Sequence, residues 1–367
     1  MPKTEGSEPI QTAQAVGAPL LVAGLGPHGE RAAPSDRIVL SDADVTFARE
    51  RAFKVAVVLH TTESDWAKQQ LAGMGAILRD HAAAITAVVD CGFSLDRQAQ
   101  ALNHLAGEKL DGVISIPLGN SRAVTDAYRA VSAAGKNLVL LDNAPVGLMP
   151  ASDYVSVVSA DNFGLGEIAA AQLSPYVPQG GKIGLVAFRL GFFATTQREI
   201  SFRRWIERHR PDVVIRQVKF EQIDHIESLV GGFLDANTDT AALFAVWDGP
   251  ALRTMRAVER RSRSIPMTTV DLGRDIATAL AGRRLIKGVA AQRPFDQGRT
   301  AANVLLSSLA GNTVPSWIVL PGLPVTASNV IDAFQQVWHA PPPARLLAAL
   351  ECESTEAAND RTAGLHK

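Results

Sequence analysis

The 367 residues carry 36 Lys and Arg against 37 Asp and Glu, a net charge of −1, with 47% hydrophobic and 20% charged residues. This balance describes a soluble globular protein with ample core, and its scattered cations leave no electrostatic footprint for nucleic acid. No apolar run approaches the roughly 20 residues that cross a bilayer, and the length suits two domains of roughly 150 residues each.

Residues 1–40 mix Gly, Pro, Ser and charge without a sustained period, which predicts disorder. Within them Ala15 to Gly26 is apolar, but Pro19 interrupts it and Lys3 is the one basic residue before it, a poor export signal. Gly24-Leu25-Gly26-Pro27-His28-Gly29 formally matches a dinucleotide fingerprint, yet Pro34 leaves no room for the helix that such a motif must open. Ser41 with Asp44 three residues on resembles a capping box for a short helix over 42–51.

From Phe53 the chain alternates strand and helix. Val55, Val57, Val58 and Leu59 read as a strand buried on both faces, which stops at His60-Thr61-Thr62-Glu63. A helix follows, with Ser64 or Asp65 as its N-cap. Further strands are predicted at 86–90, 112–116, 137–141 and 154–159, and a second series at 182–188, 213–219, 241–246, 265–270 and 286–291. Helices fill the intervals, the last three segments being a helix at 295–310, a strand at 316–320 and a helix at 328–338. Such alternation predicts an α/β fold of two similar doubly wound parallel-sheet lobes. The tail after Pro341 is Pro- and Ala-rich, then polar, and is predicted to be disordered.

Open α/β sheets bind ligands at the carboxyl ends of their strands, so the residues that end each strand carry the functional reading. They are His60 and Thr61 with Trp66 after the first strand, Asp142-Asn143, Trp247-Asp248, Asp271 and Gln292, with Arg198 in the helix after strand 182–188. Carboxylates accept, a guanidinium donates in a fork and a carboxamide does both, which suits vicinal hydroxyls. Trp66, Trp247, Phe192 and Phe193 could lie on the C–H face of a sugar ring. Taken singly each has a plainer reading: Asp248 or Asp271 as a helix cap, Arg198 as an ion-pair residue, the Trp side chains as core, Asp161-Asn162 as cap and hinge. Their joint placement at successive strand ends favours a binding site.

Catalytic residues are not expected. No Gly-x-Ser-x-Gly elbow, His-Glu-x-x-His pair or metal-spaced cluster occurs, and His60 has no nucleophile to serve as a general base. The basic cluster Arg256, Arg260, Arg261 and Arg263 reads as a solvated helix end. Cys91 and Cys352, the only cysteines, suggest neither a disulfide nor a metal site.

The order of elements resembles the type I periplasmic-binding-protein family, specifically the ribose-binding-like sugar-binding components of ABC transporters. The resemblance is carried by Val55-Ala-Val-Val-Leu59, Leu110 to Pro117, Ala133 to Asp142, Ser159 to Gly166, Phe244 to Gly249, Thr269 to Asp271 and Gly288 to Gln292, over about 53–338. It implies ligand contacts at Asp142, Arg198, Asp271 and Gln292 and from the loop carrying His60, Thr61 and Trp66. The chain departs from ribose-type members at Trp247, where they often have Asn, and at Asn143, where they often have Arg. That points to another sugar or a smaller polyol.

The resemblance also implies three interlobe crossings, near 157–160, 292–294 and 315–325. Lobe 1 is then 41–157 plus 293–315 and lobe 2 is 158–292 plus 316–340. Function follows by hinge closure on the ligand and delivery to an ABC transporter permease, in a monomer without cofactor, metal or nucleic-acid partner. The family's setting is the periplasm or cell envelope, although no convincing signal peptide is present. Three other readings compete: a LacI-type regulator core, for which 1–50 lacks a basic helix-turn-helix; an enzyme on the same scaffold; and a sensory sugar receptor.

Overall fold

In the computed structural model, which describes residues 22–190 and 192–351, the alternation resolves into two sheets. The first half contributes β1 (Ala33–Pro34), α1 (Asp42–Arg51), β2 (Lys54–Leu59), α2 (Asp65–Asp80), β3 (Ala84–Asp90), α3 (Leu95–Gly107), β4 (Gly112–Ser115), α4 (Arg122–Ala133), β5 (Asn137–Leu141) and β6 (Ser156–Ala160). There follow α5 (Asn162–Leu173), β7 (Lys182–Phe188), α6 (Phe193–His209), β8 (Val214–Phe220), α7 (Ile226–Ala236), β9 (Thr240–Ala245), α8 (Asp248–Glu259), β10 (Met267–Val270), α9 (Arg274–Ala281) and β11 (Ile286–Ala291). The last elements are α10 (Pro294–Leu309), β12 (Trp317–Leu320), β13 (Leu323–Val325) and α11 (Val330–Trp338).

The sheets run β1-β12-β6-β5-β4-β2-β3 and β13-β11-β10-β9-β7-β8. Apart from β13, which pairs antiparallel to β11, the strands are parallel. The two orders repeat one winding, with β2, β3, β4, β5 and β6 corresponding to β7, β8, β9, β10 and β11. The buried-strand pattern explains why: Val55, Val57 and Leu59 face one core with α2 and α10, while Ala56 and Val58 face another with α3 and α4. A strand apolar on both sides needs helices on both sides, the parallel-sheet solution. Where α2 meets α10, a Cβ on Gly73 would overlap the Phe295 carbonyl and one on Gly298 the Gln70 carbonyl, so these backbones approach as closely as glycine allows.

The chain leaves the first sheet after β6, returns after β11 to lay α10 on the first sheet, and leaves again after β12. These are the three crossings of the expected hinge. One expectation is corrected here: 316–340 does not go to the second lobe as a unit. Strand β12 pairs with β6, Trp317 opposite Val157, in the first sheet, and only β13 onward joins the second.

The predicted disorder is also corrected for the described part of each end. Residues 1–21 and 352–367, including Cys352, lie outside the described residues. Residues 22–40 are tied down: β1 pairs with β12, and the Ala23 and Gly24 N–H groups donate to the Asp161 carboxylate at 2.8 and 3.1 Å. The glycine motif at 24–29 is a turn closed by Gly29 N–H to Gly26 O, and it leads into β1 rather than opening a helix. After Pro341, residues 344–351 are helical and Leu346 is buried in the second core. The capping box of α1 forms as expected, Ser41 and Asp44 bonding reciprocally.

Candidate functional site

The carboxyl edges of the two sheets face each other across a cleft of about 350 Å³. Into it project His60, Thr61 and Trp66 after β2, Asp142 and Asn143 after β5, Phe192 and Arg198 from the start of α6, Trp247 and Asp248 after β9, Asp271 after β10 and Gln292 after β11. All eleven residues singled out in the sequence therefore line one space. Phe193, named with them, turns away to pack edge-on against Trp317 at 5.9 Å.

The two acids that end equivalent strands adopt equivalent backbones. Asp142 after β5 has φ 55° and Asp271 after β10 has φ 74°, and each donates its N–H to the next strand, to Val158 O and Ala290 O, both at 3.1 Å. Left-handed φ is tolerated by Asp but costs energy elsewhere, and such residues concentrate at ligand clamps. Neither Asp248 nor Asp271 caps a helix: Asp248 is the first residue of α8 behind Trp247, and α9 starts behind Gly273. Asp161, by contrast, caps α5 through Gly164 N–H at 3.0 Å.

Arg198 is buried and held on three sides. Its Nε donates to Asn162 Oδ1 at 2.8 Å, Nη1 to Val246 O at 2.9 Å, and Nη1 lies 3.8 Å from Asp271 Oδ2. The opposite oxygen of Asp271 accepts from Gln292 Nε2 at 2.6 Å, and Gln292 Oε1 accepts from Trp66 Nε1 at 3.4 Å. A chain Arg198–Asp271–Gln292–Trp66 thus runs from one lobe to the other. Asp142 Oδ1 accepts from Ser159 Oγ at 2.9 Å and from Gln297 Nε2 at 2.8 Å. Asn143 bridges the lobes on its own, Nδ2 to Pro117 O at 3.3 Å and Oδ1 from Ala194 N–H at 3.2 Å.

Burial sets the protonation of these groups. Asp142 is raised above the usual carboxylate range by desolvation, with Arg198, Ser159 and Gln297 pulling the other way. Desolvation raises Asp271 too, against Arg198 and Gln292. Asp248 is raised furthest, by desolvation and then by the Asp271 carboxylate. Among the described residues its carboxylate has one hydrogen bond, from the Gly249 N–H at 2.7 Å. His60 moves oppositely, its pKa pushed down to about 4 by burial against a small attraction from Asp90. Its ring stands between Trp66 at 5.4 Å and Phe93 at 5.0 Å, with Nδ1 unpartnered.

Reading strand ends missed Phe93, which enters the cleft from the turn after β3; the same rule applied to that strand finds it. Gln297 and Asn162, which hold Asp142 and Arg198 in place, had no such signal. Among the described residues no cluster of three or more metal-ligating side chains occurs, and no helix is long and apolar enough to cross a membrane.

The periplasmic binding protein domain family matches residues 55–313. The ribose import binding protein RbsB of Bacillus subtilis is 24% identical over 234 residues, covering 64% of this chain and 74% of that one. A solute binding protein of an ABC transporter from Agrobacterium vitis, solved with alpha-D-tagatopyranose, superposes with a TM-score of 0.71 at 20% identity over 78% of this chain and 99% of that one. Another from the same organism, solved with allitol, gives a TM-score of 0.65 at 20% identity over 77% and 98%. The chain belongs to the periplasmic binding protein domain family.

Proposed function

We propose that this member of the periplasmic binding protein family captures a sugar or polyol in the cleft by hinge closure and delivers it to the permease of an ABC transporter. The observation that carries the reading is the lining of the cleft. Carboxylates, one guanidinium and a carboxamide converge within hydrogen-bond reach of one another, with indole and phenyl faces beside them. Hydroxyls donate to Asp142, Asp248 and Asp271 and accept from Arg198 and Gln292, while Trp66, Trp247 and Phe192 cover the C–H faces of a ring. A phosphate fits poorly among three acids and a single arginine.

The eleven lining residues are the proposed ligand contacts, and none is proposed as catalytic. The first lobe is residues 22–160 plus 293–320, the second is 161–292 plus 321–351. Closure brings the two together because only the closed form lets one ligand touch Asp142 and Asp271 at once. The protein acts as a monomer in the cell envelope, where its family partners work.

A thermal-shift screen with pentoses, hexoses and C4 to C6 polyols, followed by calorimetry, tests this. A ligand present at a hundred times its Kd stabilises by about 2.7 kcal/mol. Absence of any shift across all three classes, or turnover of the bound compound, would sink the proposal.

A further inference from the structure

The cleft is bounded on one side by Asn143 and Phe192, and beyond them lies a second chamber of about 470 Å³ that shares both residues as its wall. The chemistry changes across that wall. The cleft holds three buried acids and an arginine, whereas no Asp, Glu, Lys or Arg lines the chamber. Its surfaces are the rings of Phe192 and Phe193, the Met149 thioether, Val146 and Pro117, with the Thr196 hydroxyl on the α6 side. We propose, resting on the sugar-or-polyol reading of the cleft, that the chamber is a subsite for the apolar aglycone of a glycoside whose hydroxylated ring occupies the cleft.

Three observations argue for this occupant. The chamber adjoins the cleft and shares Asn143 and Phe192 with it, so one molecule reaching both passes those two residues, where Asn143 is held by Pro117 O and Ala194 N–H. The rings are already fixed, Phe192 at 5.0 Å from Phe188 and Phe193 against Trp317, so stacking an aryl group on them orders nothing new. Val146 is 75% exposed and Met149 51%, apolar surface left in water at the rim of a site, which an aglycone would cover. A free monosaccharide would leave it wet.

The opposite wall comes from Pro27 and His28, which stand outside the stretch 55–313 that matches the family. The turn carrying them is anchored at the hinge by the two N–H bonds to Asp161. The chamber is therefore partly built by residues outside the stretch that matches the family.

The test compares free monosaccharides with their phenyl glycosides by thermal shift and calorimetry, on the parent protein and on Thr196→Trp and Met149→Asp. The first variant fills the chamber and the second puts a charge in it, and neither touches the cleft. The expected result is a phenyl glycoside that binds about tenfold tighter than its free sugar, from the ring surface removed from water. Both variants should lose that gain and keep the parent's affinity for the free sugar. Free sugars binding as well as or better than every phenyl glycoside would overturn the inference and leave the function of the cleft standing. A gain that survives in both variants overturns the location, and a gain seen with disaccharides alone overturns the apolar class. If no sugar, polyol or glycoside binds, both the inference and the function beneath it fail.

Discussion

The two walls of the cleft come from the same winding and do different work. On the first-lobe wall, His60, Thr61, Trp66 and Phe93 offer aromatic faces and neutral polar groups, Glu63 lies at its exposed edge, and its buried acid, Asp142, is already satisfied by Ser159 and Gln297. On the second, Arg198, Asp248 and Asp271 gather charge at a point where, among the described residues, Asp248 has no hydrogen-bond partner beyond its own neighbouring N–H. Strand for strand the walls correspond, even to the left-handed Asp142 and Asp271. The difference teaches that, under the proposed function, charge from the second lobe is what meets the ligand's hydroxyls, while the first lobe offers it aromatic faces.

The comparison breaks first at Asp271 and Arg198. Asp271→Ala leaves the guanidinium unpaired and Gln292 without its acceptor, and a buried charge stripped of its partner costs about 2–5 kcal/mol. Calorimetry should show ligand affinity falling by at least about a hundredfold. Arg198→Ala should lose as much affinity and also lower the melting temperature of the unliganded protein, because Arg198 ties Asn162 to Val246. Equal affinities in parent and both variants would mean the charges are structural. On the other wall Trp66→Ala should weaken binding by about tenfold, the value of a stacked ring plus one weak hydrogen bond. If Trp66→Ala proves the more damaging, the assignment of roles to the walls is reversed.

Much of this was legible in the residues. Val55 to Leu59 fixes a two-sided strand by composition alone, and a parallel sheet places the residue after each strand at the ligand edge. That is why Asp142, Trp247, Asp248, Asp271 and Gln292 could be named in advance. What the local pattern does not encode is partnership at a distance. Nothing in Trp317 to Leu320 says that it pairs with β6 rather than with the second sheet. Gln297 sits in the first turn of α10, and its bond to Asp142 exists only because α10 returns to the first lobe. Residues 22–34 look disordered by composition, but their backbone is held by Asp161 and β12, more than a hundred residues away.

The acids of both walls respond to pH with one sign and His60 with the other. Asp142, Asp248 and Asp271 have raised folded-state values, so the native protein binds more protons than the unfolded chain there. That stability is fully present below the ordinary carboxylate value and is lost as pH rises through the raised one. His60, depressed to about 4, contributes stability above its unfolded value of about 6.5 that is lost as pH falls toward 4. The two contributions therefore oppose each other as pH rises from about 4 through 6.5, the acids losing stability while His60 gains it. Asp248→Asn should make the slope of unliganded stability against pH more positive and His60→Gln should make it more negative, each measured by denaturant titration across pH 4 to 8 and each by about one linked proton. A variant that moves the slope the opposite way would refute the assignment.

The smallest effect is expected at a contact between the lobes made through the Asp65 carboxylate. Helix α9 begins behind Gly273, which has no side chain to cap it, and the Arg274 N–H instead donates at 2.9 Å to Asp65 Oδ2. Asp65 belongs to the other lobe, at the start of α2, so one lobe caps a helix of the other, a bond that opening of the cleft is expected to break. The Arg274 guanidinium adds a 3.7 Å approach to Asp65 and lies over Trp338 at 4.3 Å. A cap is worth about 1 kcal/mol, so Asp65→Ala should weaken ligand affinity about fivefold. The loss should appear in the dissociation rate, because the bond forms only after the lobes meet. A slower association with unchanged dissociation would place Asp65 in the encounter rather than in closure.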